Sequence, residues 1–245
     1  MTGHCHIVNV DPCPANGNEA LRIFAGEELT GLGKYLYDES RRTGRAECIC
    51  FPTGIGQLSQ ALKIARQAGM PVTISGARTG ITGGAVPDGG MVISTERMNR
   101  FLGLRRGTGG EMLLRCQCGV LLNEIRSAVA SGAFAELAGW PAGAAGLAKQ
   151  LATGTWCFPP DPTEPGATIG GMAACNASGA HTFLYGPMRP YVHGLTVVLV
   201  DGGIQPCQVH VTATDEGLTT DVIGDGQYVI QTCWAEVQDL VDRCH

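Results

Sequence analysis

Apolar residues follow two spacings along the chain, one typical of strands and one typical of helices, and together they predict a mixed α+β fold. The clearest unit covers residues 48–74. A short apolar run at 48–51 ends at Pro52, an amphipathic stretch follows at 57–68 with Gly69 behind it, and 71–74 is apolar again. This order predicts a strand, a helix and a strand joined as a right-handed βαβ crossover.

The same criteria predict the remaining elements, and the sequence contains no internal repeat. Helices are predicted at 28–43, 120–129 and 168–176, with one short helix near Leu147 inside a long loop at 131–166. Strands are predicted at 91–94, 111–116, 192–200 and 204–211, and the last two form a hairpin through 201–203. Residues 235–241 have helical spacing, whereas residues 1–27 show little periodicity and are interpreted as a loose or partner-bound lead.

Composition changes this picture in two ways. Glycine accounts for 36 of the 245 residues, roughly twice its usual share, whereas charged residues make up only 16% against about 25% in an average protein. Frequent glycine indicates backbone that closely approaches other backbone or a ligand. Low charge indicates either a surface covered by a partner or a large core with tight loops, and both interpretations stay open.

Charge and hydropathy also restrict the partners and the location. The net charge of −5 excludes a basic footprint for nucleic acid. No run of apolar residues is long enough for a membrane span, so none is expected. The first residues have neither a basic start nor an apolar stretch, so we expect no secretion signal and a cytoplasmic location.

Eleven cysteines are spread along the chain. A chain of this length does not need a disulfide scaffold, so we expect most of them to be reduced and buried. The pairs Cys48/Cys50 and Cys116/Cys118 have a spacing that puts each pair on one face of a strand. Metal sites usually use C-x2-C pairs, which the sequence lacks, so no metal site is predicted. The ligand-like group of His4, Cys5, His6 and Cys13 is interpreted as part of an unstructured terminus.

Residues 75–90 are the most informative segment, because they leave a predicted strand as a glycine-rich loop that also carries hydroxyl side chains. Successive N–H groups in such a loop form a concave nest for an anion, and hydroxyl groups add donors. A dinucleotide fingerprint would lead into a helix and a P-loop would need a lysine, and this loop has neither feature. A phosphate cradle of another type and a plain structural loop both fit.

Two later segments add further candidate surfaces. Phe158-Pro-Pro-Asp-Pro162 is held extended by its prolines, which suits a wall for a flat aromatic ligand or a structural turn. Thr168 is a candidate N-cap, and the helix start behind it would offer free N–H groups to a phosphate. Gly170 and Gly171 remove side chains where a ligand would pass, and Asn176 offers a polar contact. Close helix packing explains these glycines equally well.

The order of these segments resembles the FAD-binding domain of the vanillyl-alcohol oxidase / p-cresol methylhydroxylase (PCMH) superfamily, and within it the D-lactate dehydrogenase and glycolate oxidase flavoprotein branch. The resemblance rests on the glycine loop, Phe-Pro-Pro-Asp-Pro, Ala-Thr-Ile-Gly-Gly…Asn-Ala-Ser-Gly and Tyr-Gly-Pro-Met-Arg-Pro-Tyr-Val-His-Gly, and it covers residues 48–201. It implies a PCMH-type domain of two small α+β subdomains with FAD between them. It also implies oxidation of a small 2-hydroxy acid by hydride transfer to the flavin.

The same resemblance implies which residues bind FAD. Backbone N–H groups of the glycine loop would hold the diphosphate, and the two later segments would line the rest of the cofactor. The implied cofactor-binding residues are Ser75, Gly76, Ala77, Arg78, Thr79, Gly80, Thr82, Gly83, Gly84, Pro160, Asp161, Pro162, Thr163, Thr168, Ile169, Gly170, Gly171, Asn176 and Gly179.

Arg78 departs from the glycine that the resemblance implies at its position. A guanidinium there could pair with the diphosphate. Some superfamily members carry a flavin-linking histidine at about this place, and arginine cannot form that bond. The resemblance therefore implies FAD that can dissociate.

The substrate-binding half of such an enzyme has no counterpart in the sequence. We divide the chain into an N-terminal lead and helix at 1–47, an FAD-binding domain at 48–203 and a divergent tail at 204–245. A split enzyme completed by a second chain, a shortened chain and a tail read out of frame all fit this division. Catalytic residues stay unknown, because His181, His193 and His210 are candidates by residue type only. The alternatives to a 2-hydroxy acid oxidoreductase are a non-catalytic flavin-binding subunit of an electron-transfer complex and an inactive truncated fragment.

Overall fold

The computed structural model describes residues 20–107, 109–135, 137–208, 210–214, 217–221 and 228–239. The ligand-like group near the N-terminus therefore lies outside the described residues. Within them, two main sheets each have their own helices and their own apolar core. This arrangement confirms the predicted α+β class.

The first sheet surrounds the predicted crossover. Its elements are β1 (Ile23–Ala25), β2 (Cys48–Cys50), helix α1 (Ile55–Gln67), β3 (Val72–Ser75) and β4 (Met91–Ser94). The strand order is β1-β2-β4-β3, with β2, β4 and β3 parallel and β1 antiparallel to β2. The strand–helix–strand unit is confirmed, and β4 lies between the two strands that α1 connects.

Alternation along β2 divides the two faces of the first sheet between two clusters. Cys48 and Cys50 pack with Leu58 of α1 on one face. Ile49 packs with Tyr35 on the other face. Both thiols are buried and free, as predicted, and burial raises the pKa of Cys50 to about 12.

The helix predicted at 28–43 is wrong. The structure has two short 3-10 turns in this region, Gly26–Leu29 and Gly33–Tyr35. Between them Gly31 has a φ of +92°, a left-handed conformation that ends helical turns and that glycine adopts without steric cost. Leu29 and Leu32 nevertheless pack against the cluster around Phe51, so their spacing reflects burial and not a helix.

The second half begins after β4. Its strands are β5 (Phe101–Arg106), β6 (Met112–Gln117), β7 (Trp156–Cys157), β8 (Val192–Leu199), β9 (Ile204–Gln208), β10 (His210–Thr214), β11 (Gly217–Asp221) and β12 (Tyr228–Asp239). Its helices are α2 (Leu122–Ser131), α3 (Ala144–Thr153), α4 (Ile169–Ala174) and α5 (Thr182–Tyr185). The second sheet has the antiparallel order β5-β6-β12-β8-β9 with β7 against β12, and β10 and β11 form a separate two-stranded sheet.

Most elements predicted for the second half are confirmed, with ends that differ by a few residues. Strands β5, β7 and β11 and helix α5 were not predicted, and in β5 the side chains of Arg105 and Arg106 interrupt the apolar pattern. Residues 235–241 have helical spacing, but the backbone is strand up to Asp239, and it pairs with β6 up to Val237 and with β7 at Gln238 and Asp239. The second sheet includes β9 and β12, so it extends across the boundary predicted at residue 203.

The predicted hairpin between β8 and β9 is confirmed, and it ties the two halves together. Gly202 has a φ of +80° at the tip, and the Asp201 carboxylate accepts a hydrogen bond of 2.7 Å from Gly203 N–H. The Ser59 hydroxyl of α1 donates to the Gly202 carbonyl at 2.6 Å. Across the described ranges, none of the helices is long and apolar enough to cross a membrane.

Candidate functional site

A cleft of about 260 Å³ opens where the two halves meet. One wall comes from the loops that follow β3 and β4, and the other from the segments that precede α2 and α4. The residues that line it are Gly76, Ala77, Arg78, Glu96, Asn99, Gly119, Leu121, Glu124, Gly166 and Thr168. The cleft therefore joins the glycine loop to the predicted Thr168 segment.

The glycine loop contributes backbone donors that the protein itself does not use. In this fully described stretch, no N–H group from Gly76 to Gly84 donates to a protein acceptor. The first three residues line the cleft and are half-buried. Such a run of unused amides is the arrangement that binds an anion through the backbone. The loop starts from a fixed point, because the Ser75 carbonyl accepts a 2.9 Å hydrogen bond from Thr95 N–H.

Gly76 and Thr168 bring the two predicted segments into contact. A β-carbon added to Gly76 would lie 2.6 Å from Thr168 Oγ1, which is closer than real β-carbons approach. Glycine is therefore required for this contact as it stands, and the contact fixes the width of the cleft at this point.

The predicted free N–H groups at the start of α4 are not present. Ile169 N–H donates to the Val120 carbonyl and Gly170 N–H to the Cys118 carbonyl, both at 2.9 Å. Gly171 N–H donates to Thr168 Oγ1 at 3.3 Å, as expected of an N-cap. All three amides are thus used within the protein, and that part of the interpretation is wrong.

Gly170 serves close packing. A β-carbon there would lie 2.6 Å from Cys118 Cβ, and the Ile169 side chain is fully buried in the second core. Of the predicted residues in this segment, Thr168 is the one that lines the cleft in the described structure.

The later part of the glycine loop turns away from the cleft. Gly83 lies against the Arg42 and Ser40 side chains, and Ala85 N–H points to the Asp38 carboxylate at 3.4 Å. Ile81 is 78% exposed. Gly83 is therefore placed beside the 38–42 segment, and the predicted residues Thr79, Gly80, Thr82, Gly83 and Gly84 are not among those that line the described cleft.

The remaining predicted residues form a second cluster around Asp161. Its carboxylate pairs with Arg126 and with His181 Nδ1, the latter at 2.7 Å. A β-carbon on Gly179 would overlap the Asp161 carbonyl at 1.8 Å, so the two later segments touch here. The cluster comprises Pro160, Asp161, Pro162 and Thr163 with Gly179, and none of these residues is among those that line the described cleft.

Asn176 has an internal role in the same region. It adopts a φ of +47°, and its side-chain oxygen accepts a 2.9 Å hydrogen bond from Arg189 N–H. The amide thus fixes the turn between α4 and the segment that leads into β8. Like the Asp161 cluster, it does not line the described cleft.

Sequence reasoning missed Tyr35, Glu96 and Asn99. Glu96 and Asn99 follow β4, while the glycine loop follows β3, and these two strands are parallel neighbours. Ligands of α/β sheets bind at the carboxyl ends of parallel strands, so the residues after β4 could have been sought on that basis. Tyr35 comes from a distant turn, and its hydroxyl donates to Glu96 Oε1 at 2.6 Å.

Two buried hydroxyls give a test of whether a diphosphate fits this corner. Ser75 and Ser94 are opposite each other in the register of β3 and β4, and both are fully buried. Within the described structure, neither Oγ has a hydrogen-bond partner. Each hydroxyl can donate one hydrogen bond, so together with the unused amides and the Arg78 guanidinium several unused donors lie at this end of the strands. An anionic group such as a diphosphate suits these donors.

Comparisons with known sequences show which proteins the chain is similar to. The chain matches the family described as FAD binding domain over residues 46–155 and 142–208. It is 33% identical to a D-lactate dehydrogenase of Anaerostipes hadrus over 80% of this chain and 36% of that protein. It is 36% identical to a D-lactate dehydrogenase of Archaeoglobus fulgidus over 69% of this chain and 34% of that protein. The chain therefore spans about a third of the length of these curated relatives.

Solved structures share the fold at low sequence identity. BBE-like 1 of Physcomitrella patens aligns with a TM-score of 0.61 at 15% identity, over 93% of this chain and 44% of that chain. The 6-hydroxy-D-nicotine oxidase of Arthrobacter nicotinovorans aligns with a TM-score of 0.62 at 15% identity, over 92% and 44%. At these identities the likeness concerns the fold, and it confirms the predicted two-part α+β arrangement.

Proposed function

The chain belongs to the FAD-binding domain family, and FAD is therefore its cofactor; from this premise we propose that it is the FAD-binding portion of an oxidoreductase that oxidises a small 2-hydroxy acid of the D-lactate or glycolate type. The observation that carries the proposal is the run of unused backbone amides at 76–84, which enters the cleft at Gly76–Arg78 opposite Thr168. The named activities of the relatives support the substrate class.

In this proposal the chain's own residues hold the diphosphate. The N–H groups of Gly76, Ala77 and Arg78 donate to its oxygens, and the buried hydroxyls of Ser75 and Ser94 lie behind them. When bound, FAD would supply the acceptor for the hydride that leaves the alcohol carbon of the substrate. The protein's part is to bind the cofactor without covalent attachment at Arg78 and to fix its orientation.

The Asp161 cluster extends the proposed site beyond the cleft. The Asp161–Arg126 pair and the Gly179 contact make the two later segments into one rigid wall. We propose that Pro160–Thr163, Asn176 and Gly179 face the flavin end of the cofactor. Ile169, Gly170 and Gly171 are not proposed to donate their N–H groups to the cofactor, since these groups are used within the protein.

The substrate-binding half is proposed to come from outside the matched region. The relatives extend over about three times the matched length, so a second polypeptide or a further segment would supply the groups that bind the hydroxy acid. The proposed location is the cytoplasm. The second candidate function is a flavin-binding subunit without turnover of its own. It is favoured because the chain matches only about a third of the length of these relatives.

Reconstitution with FAD tests the proposal. The purified chain is expected to quench FAD fluorescence saturably and to retain a yellow colour after gel filtration. Mixed with the separately produced substrate half of the Anaerostipes hadrus relative, it is expected to lose flavin absorbance when D-lactate is added without oxygen. Retained flavin with no bleaching by any 2-hydroxy acid would favour the non-catalytic subunit. A chain that binds no FAD would contradict both.

A further inference from the structure

We propose that Tyr35 is a positioning residue that holds the Arg78 guanidinium at the cleft, and that Arg78 is the side chain that recognises the diphosphate of the cofactor. This inference rests on the proposed function and deepens it. It assigns a role to the N-terminal turn, which lies outside the glycine loop.

The backbone of Arg78 is the first step. Arg78 has a φ of +62°, a left-handed conformation that glycine adopts freely and that a side chain disfavours. Its carbonyl accepts a 3.2 Å hydrogen bond from Glu39 N–H, which helps to fix the turn. An arginine at such a position carries a conformational cost that glycine would avoid, and the contacts of its side chain show what the arginine adds here.

The guanidinium is held by contacts on two sides. It stacks over the Tyr35 ring at 4.7 Å from the ring centre, and Nη1 donates to the Gly76 carbonyl at 3.1 Å. These contacts place it beside the first residue of the cleft-lining loop. Arginine has five N–H donors, and this hydrogen bond to Gly76 uses one of them. The geometry leaves donors for a ligand in the cleft that Arg78 lines.

Tyr35 is itself fixed at both ends. Its ring is 2% exposed and packs edge-on against Phe51 at 5.0 Å between ring centres. Its hydroxyl donates to Glu96 at 2.6 Å. Burial, followed by the Glu96 contact, raises the pKa of the Tyr35 phenol, so the phenol stays protonated and keeps donating this hydrogen bond. A ring held in this way is a rigid support for a stacked guanidinium.

The charges around the cleft make Arg78 the residue that determines whether the lining attracts an anionic ligand. Among the residues that line the described cleft, Arg78 is the one cation, and Glu96 and Glu124 are the acids. Glu96 accepts the Tyr35 hydroxyl, and Glu124 accepts the Leu121 N–H at 2.9 Å. Both carboxylates are thus used within the protein. Without Arg78, an anionic ligand would meet only negative side-chain charge in this lining.

Ligands with and without the diphosphate provide the test. We would measure dissociation constants of FAD and riboflavin by fluorescence quenching for the unsubstituted chain and for Arg78→Gly, Tyr35→Leu and Tyr35→Phe. Arg78→Gly is expected to weaken FAD binding about 10- to 100-fold and to leave riboflavin binding unchanged. Tyr35→Leu is expected to weaken FAD selectively as well, whereas Tyr35→Phe, which keeps the ring, has a smaller effect.

A double variant separates positioning from general damage. If Tyr35 acts through Arg78, the variant Tyr35→Leu with Arg78→Gly binds FAD no more weakly than Arg78→Gly alone. Fully additive losses, or an equal loss of FAD and riboflavin binding in Tyr35→Leu, would overturn the role of Tyr35. Tyr35→Phe keeps this test available if Tyr35→Leu does not fold.

Arg41 supplies the matched control. It also has a φ of +62°, it is exposed, and it does not line the cleft. Arg41→Gly removes the same charge from the same backbone conformation and is expected to leave both affinities unchanged. If the unsubstituted chain binds FAD and Arg78→Gly binds it equally well, this inference is overturned and the proposed function is not. If the unsubstituted chain binds no FAD, both the proposed function and this inference are overturned.

Discussion

Gly76 lies so close to Thr168 that a β-carbon on Gly76 would be 2.6 Å from the threonine hydroxyl oxygen. Gly76 belongs to the first half of the fold and Thr168 to the second, so this contact sets the distance between the halves at the cleft. A side chain on Gly76 has to push the two walls apart or displace Thr168, which is almost fully buried.

Gly76→Ala is therefore expected to weaken FAD binding about tenfold or more and to lower the free energy of unfolding by about 1–3 kcal/mol, as overpacking does. Fluorescence titration and urea denaturation measure the two effects. Gly146→Ala is the control, because Gly146 is an exposed position of helix α3 where a β-carbon meets nothing within 4 Å. An unchanged FAD affinity in Gly76→Ala would show that the contact does not shape the binding site.

The N-cap of α4 gives a prediction about stability alone. Thr168→Ala removes the acceptor of the Gly171 N–H and is expected to lower the free energy of unfolding by about 1 kcal/mol. Thr168→Ser keeps the hydroxyl oxygen and should lose clearly less. Equal losses in the two variants, measured by urea denaturation, would show that the methyl group matters and the cap does not.

The Asp161 cluster should be far more sensitive than a surface ion pair. Asp161 has a side chain that is 20% exposed and contacts both Arg126 and His181, whereas Asp88 is 95% exposed and lies 3.5 Å from Arg45. Asp161→Ala is expected to lower the free energy of unfolding by about 1–2 kcal/mol, since it leaves a half-buried arginine unpaired. Asp88→Ala should leave the urea midpoint unchanged. Similar midpoints for the two variants would rule out a structural role for the Asp161 cluster.

Buried thiols predict how stability depends on pH. Burial raises the pKa of both Cys50 and Cys118 to about 12. In the unfolded chain these thiols ionise at about pH 8.5, while in the folded chain they keep their protons. Their contribution is therefore complete below about pH 8, and it declines as the pH rises toward the folded pKa.

Urea midpoints should accordingly fall between about pH 8 and pH 10, and Cys118→Ala should reduce the slope, because it removes one of the groups that titrate. Other buried groups, Tyr35 among them, titrate in the same direction, so the comparison with the variant is the informative one. A slope that Cys118→Ala leaves unchanged would refute the contribution of this thiol.

Local patterns predicted the parts of the fold that depend on local chemistry. The stripe on α1, the strand at β4 and the hairpin at Gly202 each follow from residues that are near one another in sequence. The glycine loop was recognised for the same reason, because its composition alone indicates unused amides and tight backbone. The family resemblance implied that this loop and Thr168 both bind the cofactor, but it did not specify the contact between Gly76 and Thr168.

Distant partners explain what the sequence did not reveal. The amides at the start of α4 are taken up by carbonyls of Cys118 and Val120, about 50 residues earlier in the chain. Tyr35 reaches Glu96 across an equally long separation. The end of strand β12 has a weak helical spacing, which its pairing with β6 and β7 overrides. None of these relationships leaves a signal in neighbouring residues.

The central place of β12 has a consequence for how the protein is made. Strands β6 and β8 leave the ribosome well before β12, which lies between them in the sheet. Until β12 pairs with them, each has unpaired backbone N–H and C=O groups along one edge. A nascent chain halted before residue 228 would present two such sides at once to its neighbours. Strand β12 is thus the strand that completes the sheet and protects these two strands from aggregation.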